Sequence, residues 1–125
     1  MKTRVEKVLR HEAGTLVMPA PISAEVDYLL GTRLGGHARR RFLEDLAARR
    51  FSVECLATAD YATVRDLDRR FGDLELGLAD LSIIVLASRL RTTRILTFDQ
   101  RHFRAVAPLE GGSFTLLPFD ETPAE

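Results

Sequence analysis

Gly77-Leu78-Ala79-Asp80-Leu81-Ser82-Ile83-Ile84-Val85-Leu86-Ala87-Ser88-Arg89-Leu90, then Arg91-Thr92-Thr93, then Arg94-Ile95-Leu96-Thr97-Phe98-Asp99, is the stretch on which the fold turns. It reads as a helix, a short turn and a strand. From Leu81 to Leu90 the helix is apolar on nearly every face, so it belongs in the middle of a fold. Ile95-Leu96-Thr97-Phe98 lacks polar alternation, which suits a parallel strand covered on both faces. Each element carries one carboxylate at the same end of the layer. Asp80 falls in the first turn of the helix, and Asp99 falls just past the carboxyl end of the strand. Ligands of open α/β sheets collect outside the carboxyl ends of the strands. Asp80 alone would be explained by the helix dipole, and Asp99 alone by a turn. The pair, placed on the two most apolar elements of the chain, points to a metal site.

At 125 residues the chain is long enough for one domain with a real core. Its composition, 46% hydrophobic and 29% charged, is that of an ordinary globular protein. The formal net charge is zero, which removes any bulk electrostatic argument for nucleic acid. All the basic residues except Lys2 and Lys7 are Arg. Arg forks onto phosphates, but an Arg excess also follows from codon bias. A single cysteine, Cys55, excludes an internal disulfide and a multi-Cys zinc site, and its apolar run Phe51–Leu56 predicts a buried strand thiol. Lys2, Arg4, Glu6 and Lys7 interrupt any opening apolar run, and no run reaches membrane-spanning length. The expected location is the cytoplasm, with no membrane association.

Upstream of the deciding stretch, residues 1–13 read as the tail of an amphipathic helix stopped at Gly14. Thr15–Met18 is a short strand, and Pro19-Ala20-Pro21 turns it into a helix over about 22–34. That helix places Ile22, Val26, Leu29, Leu30 and Leu34 inward. Glu25 lies in its first turn, where spacing alone favours a dipole-complementing surface residue over a third ligand carboxylate. Gly35-Gly36 breaks the chain before a helix over about 37–49, with Phe42 inward and Arg39, Arg40 and Arg41 largely outward. Phe51–Leu56 is a second strand. Thr58 is the expected cap of a helix carrying Tyr61, Val64, Leu67 and Phe71 inward. Downstream, Gln100–Phe103 begins a helical turn in which Phe103 and Val106 pack on the sheet and His102 reads as a loop residue. Ser113–Leu117 is a last strand stopped by Pro118. The domain spans residues 1–118, and 119–125 are an acidic tail expected to be mobile. Strand and helix alternate, which predicts a three-layer α/β domain with a mainly parallel central sheet flanked by helices.

Three segments carry a resemblance. Pro19-Ala20-Pro21-Ile22-Ser23-Ala24-Glu25-Val26-Asp27-Tyr28-Leu29-Leu30, Gly77-Leu78-Ala79-Asp80 and Ile95-Leu96-Thr97-Phe98-Asp99-Gln100-Arg101-His102-Phe103 resemble, in order, the second, third and fourth motifs of PIN-domain ribonucleases. The likeness runs from about Val5 to Pro118 and is greatest to the VapC toxins of VapBC toxin–antitoxin pairs. It implies hydrolysis of RNA phosphodiester bonds with Mg²⁺ or Mn²⁺ held by clustered acids, here Glu25, Asp80 and Asp99. Thr97 would be the hydroxyl that orients the cluster. It also implies a cognate antitoxin protein, an RNA substrate and a homodimer. Hard divalent cations take carboxylate oxygens and keep several waters. Without a cation such acids repel and one is pushed toward protonation.

The resemblance also implies an N-terminal strand ending in Asp, which the chain lacks. That strand would be central, between Thr15–Met18 and Arg94–Phe98. Met1 is accordingly expected to be an internal start, the native protein being longer by roughly one strand and most of a helix. The 125 residues alone are expected to be poorly stable and weakly active or inactive. Two functions follow: a metal-dependent endoribonuclease toxin, or a catalytically inactive PIN remnant that binds the antitoxin or its dimer partner. A phosphoryl-transfer fold with a strand-end Asp nucleophile would want an Asp-x-Asp pair after the first strand, and none follows Met18. His11, His37 and His102 sit near no evident nucleophile.

Overall fold

The computed structural model describes residues 16–97, 100–117 and 120. Strand β1, Val17–Pro19, runs directly into helix α1, Ala20–Arg33. Pro19 is extended (φ −60°, ψ 137°) and caps α1, while Pro21 sits in the first turn, where its missing N–H costs nothing. The helix therefore begins at Ala20, and Glu25 lies in its second turn, not its first. Both Leu34 and Gly35 donate their N–H to the Leu30 carbonyl, at 2.9 and 3.0 Å. Gly35 then turns the chain with φ 91°, a conformation that a Cβ would resist. Helix α2, Gly36–Ala47, folds back on α1. The hairpin is tied by Arg39 Nε to Asp27 Oδ1 at 2.7 Å, so Arg39 is a partner of α1 and not a purely solvated charge.

Strand β2, Ser52–Glu54, pairs parallel to β1 with Val17 opposite Ser52 and Met18 opposite Val53. Its regular part is shorter than the apolar run predicts, and Ser52 and Val53 are exposed. Cys55 follows it and is exposed, which overturns the expectation of a buried thiol. Helix α3 spans Asp60–Arg70. Thr58 does not cap it. Instead Asp60 Oδ2 accepts the N–H of Ala57 at 2.7 Å and pairs with Arg89. A 3₁₀ turn, Gly72–Leu74, leads to α4, Leu78–Arg89. Strand β3, Arg94–Leu96, pairs parallel to β4, Thr115–Leu117, with Ile95 opposite Leu116; α5, Gln100–Ala105, lies between them in sequence.

The expected three-layer α/β class holds, and every described strand pair is parallel. The described strands nevertheless make two separate pairs, β1–β2 and β3–β4, and not one sheet. The core is equally uneven. Val64, Leu67, Leu76, Leu81, Ile84, Val85, Ala87, Ile95, Phe103, Val106, Phe114 and Leu116 form one buried cluster. Ile84 and Leu116 are fully buried, and Phe103 meets Phe114 edge to face at 6.2 Å. Burial of each such side chain stabilises by about 1.5–3 kcal/mol. Among the described residues before Val64, only Phe42 is comparably buried. Leu34 and Tyr61, read as inward, are 70% and 50% exposed. Asp120, inside the segment expected to be a mobile tail, is bound by Arg104 and by the N–H of Leu116.

Candidate active site

Asp80 owes its place to α4. Gly77, extended at φ −84° and ψ 171°, starts the helix, and its carbonyl accepts the N–H of Leu81 at 3.0 Å. Asp80 thus stands in the first turn, where the helix dipole favours a carboxylate. One turn on, the helix is anchored by the core: Leu81, Ile84 and Val85 are buried. Ser82, wholly buried, satisfies its hydroxyl by donating to the Ala79 carbonyl at 2.6 Å. The carboxylate is therefore fixed to the most tightly packed helix, while its side chain keeps 33% exposure toward solvent.

Thr97 directly follows β3, and its N–H donates to the Leu117 carbonyl at 3.1 Å, extending the β3–β4 ladder by one bond. This fixes the strand's carboxyl end. Asp99, two residues further, lies outside the described residues. Helix α5 follows and brings His102 Nδ1 to 3.8 Å from Asp80 Oδ2. That is ion-pair range rather than a hydrogen bond. His102, expected in a loop from sequence, stands on this helix. Its signal is its position in the first turn after the strand-end acid, next in sequence to Phe103, which is buried in the core. Glu25 is exposed on α1, a helix that packs against α4. Among the described residues no three His, Cys, Asp or Glu side chains gather into a metal-sized group.

Of the three expected acids, Asp80 alone has its setting among the described residues at a carboxyl-end position of the layer, and its chemistry is of the kind a hard divalent cation takes. Asp80 offers carboxylate oxygens, is rigidly based and stays open to water, as an ion that keeps part of its hydration shell requires. The model of the PIN domain family matches residues 2–109 of this chain. This chain belongs to the PIN-domain family. The PIN domain described here is 36% identical over 114 residues to Ribonuclease VapC26 of Mycobacterium tuberculosis, a span covering 91% of this chain and 84% of that protein. No helix among the described residues of the PIN domain is long and apolar enough to cross a membrane.

Proposed function

We propose that this PIN domain is a divalent-cation-dependent endoribonuclease and the toxin half of a toxin–antitoxin pair, acting in the cytoplasm. Glu25, Asp80 and Asp99 would hold Mg²⁺ or Mn²⁺, and Thr97 would orient the acids. The observation that carries this reading is the placing of Asp80: the amino end of the most buried helix, beside His102, in a chain similar to a ribonuclease. The bound cation would supply a water of lowered pKa and screen the charge on the reacting phosphate. The chain's own part is positional. Helix α4 holds the Asp80 carboxylate still, so little reorganisation accompanies the build-up of charge. His102 closes the α5 side of that carboxylate, and β3 sets the backbone that Thr97 directly follows. Exposed Tyr28, Leu29, Leu34 and Leu43 on the α1–α2 hairpin support protein partners, a cognate antitoxin and a second copy in a homodimer.

The test is RNA cleavage by the 125-residue chain with Mg²⁺ or Mn²⁺, beside Asp80→Asn. Weak cleavage that needs both the cation and Asp80 is the expected result. Cleavage indifferent to either would overturn the assignment, and absence of cleavage with the cation bound would leave a binding module as the function.

A further inference from the structure

We propose, resting on the reading of Asp80 as a cation ligand, that His102 is the positioning residue for that carboxylate: Nδ1–H of the imidazole holds Oδ2 and so fixes how the group presents its oxygens. Nδ1 stands 3.8 Å from Oδ2. The ring as a whole keeps 25% exposure, yet Nδ1 itself is shielded from water. The nitrogen on the Asp80 side is thus the enclosed one. A carboxylate beside Nδ1 favours the tautomer that carries its proton there. The separation is longer than a hydrogen bond, and closing it is inexpensive. The outer torsions of Asp and His side chains are broad, so a modest turn of either group brings the pair together.

Both partners stand on supports that are held by the core. Asp80 leaves α4 next to Leu81, and His102 leaves α5 next to Phe103, each neighbour only 3% exposed. A helix of six residues has little stability of its own. Tertiary ties give α5 its place directly after His102. Phe103 meets the edge of Phe114, which leads into β4, and Arg104 donates twice to Asp120. The acid needs such a partner because a fixed Cα does not fix a carboxylate. A first-turn Asp is free to turn toward the helix's own N–H groups or out to water. A donor brought in from a second element selects one orientation. Where a ligating group is held in this way, removing the outer partner weakens metal affinity or activity by about 10–100-fold.

Two substitutions separate a donor from a filler of space. Asn carries its amide nitrogen as many bonds from Cα as Nδ1 of His, so His102→Asn keeps the donor and gives up ring volume. His102→Phe keeps the volume and gives up the donor. Mn²⁺ binding to the 125-residue chain, followed by loss of the paramagnetic resonance signal of the free ion, is compared for both and for Asp80→Asn. Expected is binding within about twofold of wild type for His102→Asn and about tenfold weaker for His102→Phe, with kcat for RNA falling in step and KM little changed. Nitrogen NMR in alkaline solution without the ion should place the His102 proton on Nδ1, and Asp80→Asn should move it toward Nε2. The reverse order of the two His102 variants overturns the proposal, as do equal effects of both or a wild-type ring protonated on Nε2. Mn²⁺ binding that needs Asp80 but not the donor overturns this proposal alone. Binding indifferent to Asp80→Asn, or absent from the wild type, overturns the cation reading and this proposal with it.

Discussion

Oδ2 of Asp80 lies 3.8 Å from Nδ1 of His102, which brings the start of α4 against the start of α5 at the carboxyl end of β3. The two groups are anchored by different means. Asp80 rests on a helix whose next turn is buried, and His102 precedes Phe103, which is 3% exposed in the core.

Asp80→Asn separates chemistry from folding. The amide keeps the shape of the side chain and loses a first-turn charge worth about 0.3–1 kcal/mol. The thermal midpoint should therefore move little. Metal-dependent RNA cleavage should fall about 100-fold or more, the effect of losing several kcal/mol of transition-state stabilisation. A melt and a cleavage time course on one preparation check both halves.

Ile84→Ala should cost about 2–5 kcal/mol, because the site is fully buried and closed in by the core cluster. Leu34→Ala, at a position 70% exposed, should stay within about 0.5 kcal/mol. Urea titration of the two variants measures the contrast. Equal losses would mean that Leu34 is covered in solution.

Arg104 grips Asp120 with two bonds, 2.7 Å to Oδ2 and 2.5 Å to Oδ1, and the N–H of Leu116 adds a third at 2.8 Å. The Arg104 bonds first, and the Leu116 bond second, hold the Asp120 carboxyl at about 2 against an ordinary 3.8. The folded value is the lower one, so this group stabilises the fold fully above about pH 4, and the contribution is lost as pH falls toward 2. Asp120→Asn should lower the melting midpoint at pH 7 and change it little at pH 2. The effect is modest, because both side chains are partly exposed. Melts of both proteins across that range test the sign.

Cys55 stands exposed after β2. It should react with a thiol reagent in the native state at the rate of an open thiol. A reaction that waits for denaturant would show that the thiol is covered in solution.

Sequence carried the elements that are buried on all sides. The apolar stretch Leu81–Leu90 fixed α4, and Ile95-Leu96 fixed β3, because such patterns have few alternatives in water. The glycine at position 35 marked its turn for a reason visible in its φ of 91°. Legibility failed where burial is decided by a neighbour. The run Phe51–Leu56 is apolar enough for a buried strand, yet β2 lies at the end of its pair and Cys55 is exposed. Helical spacing put Tyr61 and Leu34 inward, but spacing reports which residues share a face and not whether another element covers it. Of the candidate site, Asp80 was legible because helix starts and acids are both local signals. The approach of His102 to Asp80 is a tertiary fact, and Asp99 lies outside the described residues.

The uneven core implies an uneven response to thermal fluctuation. The cluster built from α3, α4, β3, α5 and β4 holds almost all the closely packed side chains, whereas β1, α1, α2 and β2 contribute only Phe42 at comparable depth. The first half of the chain should therefore open in rare excursions at a fraction of the global unfolding free energy, while the second half stays closed. Glu25 belongs to the half that breathes and Asp80 to the half that does not. If the two acids serve one cation as proposed, their approach depends on both halves being closed together.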